Sequence, residues 1–387
     1  MTLAQTYPDL RVLDLATNFA GPYGAMILGD MGANVIKVER ATAGDDTRSL
    51  PPFDDGLSTV FQTVNRGKRS IMLDFRSDED LAILRRLIAR SDVVIESFPP
   101  GVAQRLGLEW SDVRALAPRC ILASISAFGD GPAGRTMPGY DALVQAVSGL
   151  MSFTGHEGQP TARIAPSLLD LTTGIWAAMG IMAALARRAS PDAPGEHLTL
   201  ALIDTAFNMM NHQLMAFLAT GAEPRRLGGG APSAVPYGIY RAMDGEVLIA
   251  TASDDQFRRL CQALGLYDLG TDARLATMAE RLEHRAEIDA RIGEAIQRMP
   301  VNAVLEALTT HRISAGKVNT VAEAWDLPVV RERALLRPVE GTRDGHQVRL
   351  PIDPCAAAPA EGPPRLDEHR AAIIAELADQ AEAGFLH

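Results

Sequence analysis

Residues 11–40 read RVLDLATNFAGPYGAMILGDMGANVIKVER, and this stretch decides the fold class. Arg11–Leu15 (RVLDL) is an apolar run of strand length. Gly21–Met31 (GPYGAMILGDM) has the length of a helix, with Pro22 in its first turn, where a missing N–H is no loss. Asn34–Val38 (NVIKV) is strand-like again. Strand, helix and strand in close succession make a βαβ unit, the crossover that two parallel strands require.

The pattern repeats outward. Ser70–Leu73 is a strand, and the helix at 78–90 starts acidic (Asp78, Glu79, Asp80) and ends basic (Arg85, Arg86, Arg90), as its dipole favours. Asp92–Glu96 and Arg119–Ser126 are two more strands, and 175–188 is an Ala-rich helical run. This alternation predicts an α/β domain with a mostly parallel sheet, whose ligands sit beyond the carboxyl ends of the strands. After the turn at Ser190–Gly195, a strand at His197–Leu202 leads into a helix over 203–219. Gly228-Gly229-Gly230-Ala-Pro reads as a hinge or turn and as the best domain junction. Tyr237–Ala242 and Val247–Ala250 form a hairpin across Asp244-Gly245, and helices run from Asp255 to about Leu308. A strand at Gln347–Leu350 and a helix at Asp367–Glu382 close the chain.

At 387 residues two domains are expected. Hydrophobic content of 47% beside 22% charged residues fits a soluble globular protein. No signal peptide precedes the first strand, and the longest apolar run, Ile175–Ala186, is too short to span a bilayer. Three scattered cysteines (Cys120, Cys261, Cys355) fit a reducing cytoplasm and supply no structural zinc or disulfide framework. A net charge of −11 argues against nucleic acid as a partner. Any anionic ligand must then find a local basic cluster, and Lys37, Arg40, Arg48, Arg66, Lys68, Arg69 and Arg105 follow successive strands. Singly each reads as a solvated loop charge; their placement raises a shared phosphate site.

Asp170, in PSLLDLTTG (166–174), sits where a loop meets the Ala-rich helix. Its carboxylate reads as a plain cap on the first-turn amides. The same amides would also hold it as a low-pKa, ionised nucleophile, the second reading at this point.

Seven segments in order carry a family resemblance: AGPYGAMILGDMGANVIKVER (20–40), GDDTR (44–48), NRGKRSIMLDF (65–75), SDVVIESFPPGVAQRLGL (91–108), PGYDALVQAVSGLMSFTG (138–155), PSLLDLTTGIWAAMGIMAALARR (166–188) and GPPRLDEHRAAIIAEL (362–377). The chain resembles the CaiB/BaiF, or class III (formyl-CoA-transferase-like), CoA-transferases over nearly its whole length. The resemblance implies a Rossmann-like large domain, a smaller α+β domain, and two subunits interlocked as a homodimer. It places the large domain at 1–224, the small one at 225–320, and a segment at 321–387 that returns to the large domain.

The implied chemistry moves coenzyme A from an acyl-CoA to a carboxylic acid without metal or permanently bound cofactor; CoA enters as a substrate. Asp170 is the implied nucleophile, passing through a mixed anhydride and an aspartyl-CoA thioester, with Leu168, Leu169, Ile175 and Trp176 as candidate apolar walls that keep water out. Arg40, Arg105, Ser97, Lys68 and Arg69 are the implied CoA contacts, Ser97 standing where the family often has asparagine. Tyr140 and Phe19 line the implied substrate pocket, with Arg48 or Arg163 as the cation for a distal carboxylate. Phe19 replaces a glutamine of formyl-CoA transferases, and no glycine-rich active-site loop is evident. Both features lean away from formyl and oxalyl substrates, toward succinyl-CoA and short dicarboxylates.

Alpha-methylacyl-CoA racemases share the fold and the aspartate but need a second base on the other face. Here Tyr140 stands in place of their histidine, and His156 falls in a polar turn. A non-catalytic CoA-binding module would keep the basic site without the nucleophile. A dinucleotide oxidoreductase lacks its GxGxxG, and a serine hydrolase its GxSxG.

Overall fold

The computed structural model describes residues 3–190, 192–340, 345–352 and 361–383. The chain divides into two compact units, one of residues 1–148, 164–214 and 334–387, the other of 149–163 and 215–333. The second unit thus takes in 149–163, 215–224 and 321–333 besides the expected 225–320.

In the first unit six strands make one sheet: β1 (Arg11–Asp14), β2 (Asn34–Arg40), β3 (Lys68–Leu73), β4 (Val93–Glu96), β5 (Ile121–Ser126) and β6 (His197–Ala201). Their spatial order is β3-β2-β1-β4-β5-β6, and every pair is parallel. The order reverses between β1 and β4, so the chain leaves these neighbours in opposite directions and a crevice opens beyond their carboxyl ends. The residues at this switch are Leu15–Phe19 after β1 and Ser97–Phe98 after β4. Thr17 N–H donates to Ser97 Oγ across it at 3.1 Å.

Helices cover the faces: α1 (Ala20–Asp30), α2 (Asp78–Ala89), α3 (Val102–Leu106), α4 (Trp110–Leu116), α5 (Asp141–Val147) and α6 (Leu168–Arg187). Helix α6 begins at Leu168 rather than 175, because polar Asp170, Thr172 and Thr173 belong to its first turns and hide the start of the apolar run. The helix expected over 203–219 is two, α7 (Leu202–Met209) and α8 (Asn211–Thr220), with Met210 as the C-cap of α7. By length and composition α6 is apolar enough to cross a membrane; here its inner face packs on α1.

That packing runs glycine to glycine. A Cβ on Gly174 would stand 2.6 Å from the Ala20 carbonyl oxygen, and one on Gly24 would stand 3.0 Å from the Gly174 carbonyl oxygen. Further along, Ile27 and Met31 of α1 share a cluster with Ala178 and Met182 of α6. The register therefore increases along both helices: they are parallel, and their N-termini lie at the same end. Since α1 leaves β1 directly, that end is the carboxyl edge of the sheet. The last helix, α12 (Arg370–Ala383), inserts Ile373 and Leu377 into the core under β2 and β3 with Ile71, Leu73 and Leu84.

The second unit holds an antiparallel sheet of β7 (Tyr237–Arg241), β8 (Glu246–Ala250) and β9 (Ser314–Lys317), in the order β9-β8-β7. Helices α9 (Asp254–Ala263), α10 (Arg285–Ile296) and α11 (Val301–Thr310) bury Phe257, Leu260, Ile288, Ile292 and Val304 against it. Strand β9 has no alternating apolar pattern (SAGK) and escaped the sequence reading, since an edge strand with little burial leaves little signal. The glycine run lies inside this unit and is packed. Gly228 abuts the His156 ring and Gly229 abuts Ile239, so neither has room for a Cβ and the hinge reading fails. The strand expected at Gln347–Leu350 is His346–Val348, paired with Leu336–Pro338 in a two-stranded ribbon.

The Gly174 contact is testable against a control in the same helix. Gly174→Ala drives a methyl into the α1 backbone and is expected to lower stability by about 1–3 kcal/mol. Gly180→Ala meets only the Leu198 side chain, at 3.4 Å. It should be neutral or stabilising by up to about 1 kcal/mol from helix propensity. Urea unfolding monitored by circular dichroism measures both.

Candidate active site

A helix N-terminus needs acceptors for its first amides. In α6 the N-cap, Ser167, supplies no side-chain bond. The acceptor comes instead from Asp141, the first residue of α5. Its Oδ2 takes the Leu169 N–H at 2.7 Å and the Asp170 N–H at 3.2 Å. Its Oδ1 takes Gln145 Nε2 at 2.6 Å, and Gln145 in turn clamps both the N–H and the C=O of Ile164. Asp141 is almost wholly buried and Gln145 fully so.

This corrects the cap reading of Asp170 and the low pKa expected of its carboxyl. Its carboxylate neither caps the helix nor borrows the first-turn amides, because Asp141 already occupies them. Among the described residues nothing donates a hydrogen bond to it. Burial, with the like charge of Asp141 second, pushes the Asp170 carboxyl up to about 7 rather than down. Asp141 is the functional residue the sequence reading missed. Its spacing to Gln145 marks only a local helix pair; the partner amides lie 28 and 29 residues on.

Parallel packing of α1 and α6 sets Asp170, one turn before Gly174, beside the residues that precede α1. There Phe19 is the half-buried N-cap and Asn18 adopts the left-handed region at φ 66°. Asp45 Oδ1 accepts from the Asn18 N–H at 3.3 Å, and Asp45 Oδ2 pairs with Lys37 Nζ at 2.9 Å. Lys37 also donates to the Ala16 carbonyl at 2.9 Å. Desolvation would pull the buried Lys37 ammonium down, but Asp14, Asp45 and Glu39 outweigh it and push it up. The loop beside Asp170 is thus fixed from below by buried charge pairs.

Most of the expected phosphate ligands are spent on that scaffold. Lys68 is fully buried, and its ammonium donates to Asp14, the Pro22 carbonyl and Asn65, each at 2.8 Å. All three donors are used. Arg69 forks onto Glu376 of α12 at 2.5 and 3.1 Å. Arg48 forks onto Glu39, both bonds 2.7 Å, and lies over the Phe61 ring. Lys37 and Arg66 are likewise buried against Asp14, Asp45 and Asp30. A buried cation must be paired, and the acids that pair these lie far off in sequence. Lys68 and Arg48 are therefore not open to a ligand, while Arg69 sits in an ion pair at the surface.

Two cations remain accessible. Arg40, at the carboxyl end of β2, is half exposed, paired with Asp46 and with its Nε on the Gly44 carbonyl at 3.0 Å. Arg105, on α3 after β4, is exposed. Ser97 stands in the switch crevice, but as an acceptor from Thr17 N–H. Tyr140, beside Asp141, is 70% exposed rather than buried. Leu169 is buried, whereas Ile175 and Trp176 are about two-fifths exposed. Arg163 belongs to the second unit.

The six-stranded parallel sheet thus has, at its carboxyl edge, an aspartate that no group donates to among the described residues. The family model for CoA-transferase family III matches residues 7–370. The chain is 38% identical over 382 residues to a succinate–glutarate CoA-transferase of Agrobacterium fabrum, covering 95% of this chain and 94% of that one. It is 35% identical to an acetyl-CoA:oxalate CoA-transferase of Acetobacter aceti, covering 96% of each. A crystal structure of a CaiB/BaiF family protein from Brucella suis superposes with a TM-score of 0.83 at 36% identity, over 95% of this chain and 98% of that one. The chain belongs to CoA-transferase family III, and it is an enzyme of the CoA-transferase class.

Asp141→Ala strands two amides, so it should lower stability by about 1–3 kcal/mol. Asp170→Asn should act oppositely. The folded carboxyl sits near 7, above its ordinary 3.8. Its ionisation therefore costs nothing below about pH 4, progressively more up to about pH 7, and a constant amount beyond. The rise in melting temperature on Asp170→Asn should thus be larger at pH 8 than at pH 4.5, and differential scanning calorimetry at the two pH values measures it.

Proposed function

We propose that this enzyme transfers coenzyme A from a short acyl-CoA, succinyl-CoA foremost, to a dicarboxylic acid, with Asp170 as covalent nucleophile. The observation that carries the reading is the Asp170 carboxylate, half-buried, without a hydrogen-bond donor among the described residues and next to a like charge. A carboxylate solvated by amides is a weak nucleophile, and one deprived of them is more reactive once ionised.

In the proposed sequence an Asp170 oxygen attacks the thioester carbonyl, the carbon–sulfur bond breaks and CoA leaves as thiolate. The thiolate then attacks the Asp170 carbonyl of the anhydride, releasing the donor acid and leaving an aspartyl-CoA thioester. The acceptor carboxylate attacks that carbonyl and again frees thiolate, which takes the new acyl group and restores Asp170. No proton is consumed in the cycle. Asp141 acts through the backbone, fixing the amides of Leu169 and Asp170, and so is a positioning residue. Arg40 and Arg105 remain the candidates for the CoA phosphates, Ser97 and Thr17 for the crevice wall, and Tyr140 and Phe19 for the acyl pocket. Succinate, glutarate and oxalate occur in the names of the relatives, and their likeness keeps oxalate among the acceptors to test.

A homodimer, cytoplasmic and not inserted in a membrane, completes the reading. Leu143, Val147, Ile175, Trp176, Met179 and Phe207 expose apolar side chains on α5, α6 and α7, an apolar face of the kind a partner subunit covers. Trp176→Glu should weaken the dimer, which sedimentation velocity across a concentration series resolves; a wild-type monomer at all concentrations sinks this part.

The chemistry is tested by incubating the enzyme with succinyl-CoA and trapping with hydroxylamine. Peptide mass spectrometry should find the adduct on Asp170, and chromatography a new thioester when glutarate or oxalate is added. Asp170→Asn should lose at least a thousandfold in turnover. Wild-type kcat/KM should fall tenfold per pH unit below about 7 as Asp170 takes up its proton. Retained turnover in the variant, or a flat profile from pH 5 to 8, overturns the nucleophile.

A further inference from the structure

At the far end of α1, away from the Asp170 turn, the ribbon Leu336–Pro338/His346–Val348 lies against Asp30 and Arg66. Arg337 and Gln347 are direct partners in its register, so their side chains share one face. Arg337 Nη1 donates to Asp30 Oδ1 at 2.9 Å. Arg66 holds the same carboxylate through Nε at 3.1 Å and Nη2 at 2.6 Å, and reaches Gln347 Oε1 at 3.3 Å. The side chains of Asp30, Arg66 and Arg337 are each at most 10% exposed.

Two guanidiniums thus share one carboxylate, and neither can shed its proton. Tyr23, which feels both Arg66 and Asp30, adds no negative charge, since burial pushes its phenol up. Among the described residues the cluster carries one uncompensated positive charge, a costly state in a buried place. Beside that charge two buried donors, Arg337 Nε and Gln347 Nε2, have no acceptor among the described residues. A water molecule satisfies donors but leaves the charge standing. An anion does both.

We propose that Arg337 Nε and Gln347 Nε2 bind a small monovalent anion of halide size, which neutralises the Arg66–Asp30–Arg337 cluster and fastens the 336–348 ribbon to α1. The ribbon's attachment, and with it the seating of α1, then depends on anion concentration through ordinary binding linkage.

Thermal unfolding of the full chain in sodium chloride or bromide, against sodium gluconate at matched ionic strength, tests this. The wild type should gain melting temperature saturably with chloride and bromide but not with gluconate. Gln347→Glu sets a carboxylate where the anion would sit. It should raise the melting temperature in gluconate and abolish the chloride response. Gln347→Met, which keeps the volume and removes the donor, should weaken the response at least tenfold in half-saturating chloride. Superimposable chloride and gluconate curves in the wild type would mean a bound water only and overturn the site, as would a full chloride response in Gln347→Glu. Crystals grown in bromide should show an anomalous peak within hydrogen-bonding reach of Arg337 Nε; none there also overturns it.

Discussion

One carboxylate governs the candidate site. The first amides of α6 must find an acceptor, and Asp141 supplies it from another helix. Had Asp170 capped its own helix, those amides would have stabilised its charge and dulled it. With Asp141 in that place, Asp170 keeps the position, has no donor among the described residues, and gains a like charge as neighbour. The same contact fixes the start of α6 to the start of α5 and, through Gln145, to Ile164. A single interaction therefore fixes the start of α6, while burial first and the Asp141 charge second raise the pKa of the proposed nucleophile.

Around it, buried charge is used as scaffold. Lys37, Lys68 and Arg48 have acidic partners at the carboxyl side of β1, β2 and the loop after β2. Such pairs add little net stability compared with apolar packing, but breaking one leaves an orphaned charge. They tie down the loop 16–19 that precedes α1, with Lys37 on the Ala16 carbonyl and Asp45 accepting from the backbone of the left-handed Asn18. What they leave open is a sparse set of cations, Arg40 and Arg105, flanking the switch between β1 and β4.

The α1–α6 contact joins these two systems. Gly24 and Gly174 let the helix backbones approach closely, which brings the α1 N-terminus level with the first turn of α6. Both helices then present their positive ends toward the carboxyl edge of the sheet. Neither glycine takes a positive φ; each is needed for space rather than for conformation.

The fold was legible in the sequence because it rests on local periodicity. The runs at 11–15, 34–38, 70–73, 92–96 and 119–126 are apolar at strand length, helix-length segments separate them, and every one became a strand of the parallel sheet. Asp170 was legible as a position, through its motif at the start of an apolar helix. Its electrostatic state was not, because that depends on Asp141, some thirty residues away in sequence and in contact only after folding. The cations tell the same story: a row of arginines and lysines after successive strands looks like one phosphate site until Asp14, Asp30, Glu39, Asp45 and Glu376 claim most of them. Sequence alone determined which elements form and which carboxylate stands at their edge. Only the tertiary structure decided which charges meet, since pairing depends on distance in space, and desolvation makes that pairing obligatory.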